Sequence, residues 1–223
     1  MLCDNALIVF AKHPVPGQVK TRLTPHLTPE EAAALYRCML LDTLEKVRLV
    51  PALHRHLFYQ GDPSALQYFQ QIAPDFALSC QSGCDLGQRM AAAFRNVISL
   101  GCQRVIIVGT DTPDLPVDYL HRAFDALTEG SVDVVFGPSV DGGYYLLGLK
   151  SVPMVLFEGI PWSTGAVLTE SMARADMAGI RTHLLPEWYD VDTAADLRRK
   201  GLLQEDNGAP QTRQFVERLV FRC

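Results

Sequence analysis

No run in the 223-residue chain approaches the roughly 20 consecutive apolar residues of a membrane-spanning helix. The opening residues, Met1-Leu2-Cys3-Asp4-Asn5, pass directly into an apolar run, without the basic segment and long hydrophobic stretch of an export signal. A cytoplasmic protein that engages no membrane is the expectation. There is no basic block either. Lys and Arg number 20 against 25 Asp and Glu, a net charge of −5, which argues against a partner that is nucleic acid. The six cysteines are scattered, and only Cys80 and Cys84 lie close together, with no His nearby. That spacing does not suggest zinc, and reduced thiols are the simple reading. Two phosphate-binding signatures, G-x-x-x-x-G-K-[ST] and G-x-G-x-x-G, are also missing.

The chain has 48% hydrophobic and 20% charged residues, the composition of a folded globular protein, and its length suits one domain over residues 1–223. Strand-like and helix-like segments alternate. Ala6–Ala11 and Arg104–Gly109 are continuous apolar runs of the kind found in strands buried on both faces. Thr28-Pro29-Glu30-Glu31 combines an N-cap, a proline at the first helical position and a glutamate at the third, so a helix is expected from there to about Val50. Further helices are expected over 85–100, 116–127, 165–178 and 212–220. Thr193-Ala194-Ala195-Asp196 reads as a second capping box opening a helix over 193–200. The alternation predicts an α/β fold, a three-layer α/β/α sandwich around a mostly parallel sheet. In such sheets ligands bind beyond the carboxyl ends of the strands.

The segments after the buried strands carry the chemistry. Lys12 to Leu23 places Lys12, Lys20 and Arg22 around a Pro/Gly loop containing Gly17. Such a loop suits a polyphosphate, or is simply a solvated basic loop. Thr110-Asp111-Thr112-Pro113-Asp114 sets two carboxylates at the mouth of the strand over 104–109. Carboxylate oxygens are preferred ligands of Mg²⁺ or Mn²⁺; Asp114 reads equally as a cap of the next helix. Asp141-Gly142-Gly143-Tyr144 is first a turn, and its glycines would let backbone approach a ligand. Asp190 and Asp192 stand before the Thr193 box.

Together, Ala11-Lys12-x-Pro14-x-Pro16-Gly17-x-Val19-Lys20-Thr21-Arg22-Leu23, Gly109-Thr110-Asp111-x-Pro113, Asp141-Gly142-Gly143-Tyr144-Tyr145 and Asp190-Val191-Asp192-Thr193 resemble bacterial glycosyltransferase-A-like proteins once catalogued as a domain of unknown function. These belong to the nucleotide-diphospho-sugar transferase superfamily. The resemblance runs from about Ala6 to Leu197, and phospholactate guanylyltransferases are similar too. It implies that Lys12, Gly17, Lys20 and Arg22 bind nucleotide phosphates, and that Asp111 and Asp192 hold Mg²⁺ or Mn²⁺. It also implies that Gly142, Gly143 and Tyr144 face the sugar or acceptor, and that Gly87, Gln88 and Arg89 line the nucleotide or sugar site. Asp111 and Asp141 are then the catalytic carboxylates, Asp141 as general base.

The implied partners are a nucleotide or nucleotide-sugar and a small-molecule acceptor, with a homodimer left open. Glycosyl transfer from an NDP-sugar is the leading expectation. The alternatives are nucleotidyl transfer from an NTP with release of pyrophosphate, and a non-catalytic nucleotide-binding module. Two departures stand out. Phe10-Ala11-Lys12-His13-Pro14 replaces the L-A-G-G-x-G-T-R signature of nucleotidyltransferases, and Asp111-Thr112-Pro113-Asp114 is one residue longer than a D-x-D.

Overall fold

The computed structural model describes residues 4–50 and 54–220. The strands are β1 (Asn5–Lys12), β2 (His54–Gln60), β3 (Ala77–Cys80), β4 (Arg104–Val108), β5 (Val134–Pro138), β6 (Tyr144–Leu149) and β7 (Thr182–Leu184). The helices are α1 (Pro29–Arg48), α2 (Ala65–Ile72), α3 (Leu86–Ser99), α4 (Val117–Thr128), α5 (Val167–Met177) and α6 (Pro210–Val220). The strands form one sheet in the order β3-β2-β1-β4-β6-β5-β7. Only β6 is antiparallel to its neighbours.

Side chains of a strand alternate between faces, and here both faces are covered. Leu7, Val9 and Ala11 of β1 pack with Leu40 and Leu44 of α1, Phe69 of α2 and Phe124 of α4. Ala6 and Ile8 pack on the opposite side with Met90, Phe94 and Val97 of α3 and Ala175 of α5. That is the expected three-layer α/β/α arrangement. The α1 start forms as its sequence predicts: Thr28 Oγ1 accepts from the Glu31 amide, and the Glu31 carboxylate accepts from the Thr28 amide. Outside the sandwich α6 packs on α1, where the buried Asp42 carboxylate accepts from the Gln211 and Thr212 amides and the Thr212 hydroxyl, capping α6.

Strand order reverses between β1 and β4: from β1 the chain crosses to β2 on one side, while β4 lies on the other. This is the switch point at which open α/β sheets bind ligands. The loops leaving β1 and β4, which carry Lys20 and Asp111, flank it.

Two expectations are corrected. The helix expected over 193–200 is a single 3₁₀ turn, Asp196–Arg198. The Asp196 carboxylate accepts from the Asp192 and Thr193 amides and the Thr193 hydroxyl, closing the box into a tight turn, and Arg199 is already extended. Asp114 does not cap α4, whose N-cap is Pro116. Its buried carboxylate instead accepts from Trp188 Nε1 at 3.2 Å and from the Tyr189 hydroxyl. Among the described residues, Cys38, Cys80 and Cys84 are free thiols.

Candidate active site

A cleft of about 930 Å³ opens at the switch point, within the size range of small-molecule sites. Its floor is the end of the sheet, including Phe10, Ala11, Ile107 and Gly109. One wall is the β1 loop. The opposite wall is the β5–β6 turn with a segment around Trp162 to Gly165.

The β1 loop is fixed by its apolar residues. Val19 is buried against Ala33 and Tyr36, and Leu23 is fully buried with Leu35, Met39 and Val191. Between them Lys20 adopts a left-handed conformation (φ 49°, ψ 39°), unusual for a residue with a Cβ. Its ammonium lies 2.5 Å from Asp111 Oδ1 and 2.8 Å from Asp192 Oδ1. Arg22, largely exposed, reaches Asp192 Oδ2 at 3.5 Å. Burial alone would lower the pKa of Lys20, but the Asp111 and Asp192 carboxylates outweigh it and the net shift is upward, so the ammonium stays charged.

Asp111 and Asp192 come from loops far apart in sequence, joined by a hydrogen bond from the Val191 amide to the Asp111 carbonyl. Beneath them the Lys12 amide donates to the Tyr36 hydroxyl at 2.8 Å, and the Thr110 hydroxyl lies 3.0 Å from it. Burial, with the Asp111 charge adding to it, pushes Tyr36 up to about 12. Asp190 also lines the cleft, and its carboxylate accepts from the buried Ser139 hydroxyl. Burial raises its carboxyl to about 7, against the Ser139 hydrogen bond and with help from the charges of Asp111, Asp141 and Asp192.

Of the residues singled out in the sequence, Lys12, Lys20, Arg22, Arg89, Asp111, Asp141, Gly143, Tyr144, Asp190 and Asp192 line this cleft. Arg89 is held by the Gly83 carbonyl and Gln60 Oε1. Asp141 is exposed, and its Oδ1 accepts from the Gly143 amide at 2.9 Å. Four residues stand outside the lining. Gly17 is exposed, with φ 77° and open space where a Cβ would be. Gly142 (φ 88°) approaches Gly165 so closely that a Cβ would lie 2.1 Å from its carbonyl oxygen. Gly87 lets α3 abut the Phe157 carbonyl and the Trp162 ring. Gln88 closes the α3 N-terminus, its amide donating to Asp85 and its Oε1 accepting from the Cys84 amide.

Two further parts of the lining carried no sequence signal for the site. Tyr36 sits on a helix face that reads as core, and the Trp162–Gly165 segment stands at the start of the helix expected over 165–178.

Residues 43–164, more than half of the chain, match the family described as "Uncharacterized protein conserved in bacteria (DUF2064)". The chain belongs to this family. A crystal structure from Desulfovibrio desulfuricans G20, of a protein assigned provisionally as a nucleotide-diphospho-sugar transferase, is 30% identical. It superposes with a TM-score of 0.85 over 96% of this chain and 97% of the other. The 2-phospho-L-lactate guanylyltransferase of Methanothermobacter thermautotrophicus is 27% identical over 205 residues, covering 91% of this chain and 86% of the relative. A cytidylyltransferase from Leptospira borgpetersenii shares the fold at 12% identity, with a TM-score of 0.58 over 98% and 94% of the two chains. The DUF2064 chain thus has the fold of the nucleotide-diphospho-sugar transferases, and each of these three similar proteins is named as a transferase.

Proposed function

We propose that this DUF2064 protein is a nucleotide-using transferase, and that the group it transfers is a nucleotidyl group from an NTP to a phosphorylated small molecule. An acceptor phosphate oxygen attacks the α-phosphorus, the bond from that phosphorus to the bridging oxygen breaks, and pyrophosphate leaves with that oxygen. The observation that carries the reading is the convergence of Lys20, Asp111 and Asp192 at the sheet's switch point, with Arg22 beside them.

Two carboxylate oxygens aimed at one point fit the protein share of a Mg²⁺ or Mn²⁺ site. Among the described residues no cluster of three or more His, Cys, Asp or Glu is arranged to hold a metal. The ion would therefore complete its shell with phosphate oxygens and water, as Mg²⁺ commonly does. When bound, it would neutralise charge on the phosphates. Lys12 and Arg22 supply further positive charge at the rim, where pyrophosphate departs.

Nucleotidyl transfer is preferred over glycosyl transfer for a chemical reason. A hydroxyl acceptor needs a base, and Asp141, the expected one, is exposed and already bonded to its own turn. A phosphate acceptor is ionised near neutral pH and needs none. The guanylyltransferase relative supports the same order.

The test incubates the protein and Mn²⁺ with GTP, CTP, UTP or ATP and a panel of phosphorylated hydroxy acids beginning with 2-phospho-L-lactate. Acceptor-dependent pyrophosphate release is expected. Release of NDP from NDP-sugars, with no pyrophosphate from any NTP, overturns nucleotidyl transfer in favour of glycosyl transfer.

A further inference from the structure

Lys20 is an odd phosphate ligand in this structure. Its loop neighbours Gln18, Thr21 and Arg22 are exposed, yet its own side chain is only 4% exposed. The ammonium is not left unpaired to await an anion. It fills the point on which the Asp111 and Asp192 carboxylates converge.

The backbone is built to put it there. Among the described residues only Lys20 and Ser163 combine a side chain with positive φ, a conformation disfavoured for a residue with a Cβ. Buried Val19 and Leu23 pin the chain on both sides, and the Leu23 amide donates to the Lys20 carbonyl at 2.9 Å. The main chain is thereby fixed, so any departure of the ammonium falls to rotation within the four-carbon side chain.

Two close carboxylates in a half-buried site repel each other and require a cation. One positive charge is already resident. A divalent ion would carry two to the same oxygens, at distances of about 2.0–2.1 Å for Mg²⁺ that leave no room for the ammonium.

We propose that Lys20 is the exchangeable counter-ion of the cation site: its ammonium and a divalent ion occupy the same point in turn. A bare ion must expel Lys20 and leave a lysine unpaired. An ion that arrives with a nucleotide brings phosphate oxygens to receive the displaced ammonium. The site therefore selects the metal–nucleotide complex over the free metal, and Lys20 becomes a phosphate ligand only after the exchange. This rests on the reading of Asp111 and Asp192 as metal ligands.

The test is Mn²⁺ titration without nucleotide, followed by the electron paramagnetic resonance of free Mn²⁺, on wild type, Lys20→Met and Lys20→Gln. Thermal melting is recorded alongside. Both variants are expected to bind bare Mn²⁺ at least tenfold more tightly than wild type, and Mn²⁺ alone should raise their Tm but not that of wild type. Adding Asp192→Asn to Lys20→Met should abolish the gain.

With GTP present, wild-type Tm should rise with Mn²⁺; an equal rise with Mn²⁺ alone overturns the exchange without needing either variant. Variants that bind bare Mn²⁺ no tighter than wild type overturn it too, and leave the metal reading standing if wild type still responds to Mn²⁺ with GTP. A gained site that survives Asp192→Asn also overturns it. If no protein responds to Mn²⁺ with or without GTP, the metal reading fails and the exchange falls with it.

Discussion

The amide of Val191 donates to the carbonyl of Asp111 at 2.8 Å. This main-chain bond joins the loop leaving β4 to a segment 80 residues later and sets the spacing between the Asp111 and Asp192 carboxylates. A second set of bonds backs it, from Trp188 and Tyr189 to Asp114. The Lys46 ammonium, donating to the Pro113 carbonyl at 2.5 Å, braces the same loop from beneath. The side chains that meet in the cleft are thus held by backbone that cannot drift independently.

Asp192 and Asp190 should behave differently on substitution. Asp192 faces Lys20 and Arg22, whereas Asp190 faces Ser139. Asp192→Asn is expected to weaken Mn²⁺ binding in the presence of nucleotide by tenfold or more with Tm nearly unchanged; Asp190→Asn should affect Mn²⁺ much less. The pH profile separates them further. The folded-state pKa of Asp190 is raised from 3.8 to about 7, so the folded state holds that proton more tightly than the unfolded chain. Its contribution to stability falls as pH rises from about 4 to about 7. Asp190→Asn should flatten that part of the Tm profile, measured calorimetrically.

Arg22 offers an electrostatic test free of folding effects, since its side chain is 70% exposed. Arg22→Ala should weaken binding of GTP and GDP by about tenfold or more, the scale of a charge-assisted hydrogen bond, while guanosine binding and Tm hardly move. Isothermal titration at two salt concentrations checks this. Equal losses for nucleoside and nucleotide would mean that the loop merely shapes the cleft.

Two glycines with similar φ should respond unequally. Gly17→Ala meets open space and is expected to cost only the left-handed backbone term, about 1–2 kcal/mol. Gly142→Ala carries the same term and also drives a Cβ to 2.1 Å from the Gly165 carbonyl oxygen. It should cost clearly more and displace the cleft wall, so nucleotide or acceptor affinity should fall along with stability. Urea denaturation and ligand titration of the two variants make the comparison.

Asp42 lies outside the cleft and should act through stability alone. Asp42→Ala removes three hydrogen bonds that cap α6 and takes from buried Lys46 one of the two carboxylates, with Asp114, that favour its charged form. A loss of about 2 kcal/mol or more is expected by chemical denaturation, with kcat and KM unchanged well below the new Tm.

The sequence is most legible where one local rule suffices. The apolar run at Ala6–Ala11 becomes a central strand, and the Thr28/Glu31 box forms with both its hydrogen bonds. The Thr193/Asp196 pair has the same pattern, yet its carboxylate is drawn back to the amides at 192 and 193, so the turn closes instead of propagating. Asp114 was opaque because its partners lie 74 and 75 residues away. Tyr36 was opaque because its ring is core and only its hydroxyl belongs to the cleft. The approach of Asp192 to Asp111 follows from no spacing in the chain and was anticipated only through the family resemblance. That Lys20 would stand between them had no sequence signal, since its left-handed backbone arises from the anchoring of Val19 and Leu23.

The reversed direction of β6 decides where variety can be tolerated. β6 starts at the cleft rim and runs down to the far edge of the sheet, so the chain must climb back beneath α3 to deliver Trp162 and its neighbours to the rim. This return path, residues 150–166, is not a strand of the sheet and carries none of Lys20, Asp111 or Asp192. Lengthening or rewriting its tip would remodel the far wall while the strand registers and the charged centre stay as they are. On the proposed reading, such changes would alter which acceptor fits without rebuilding the phosphate chemistry.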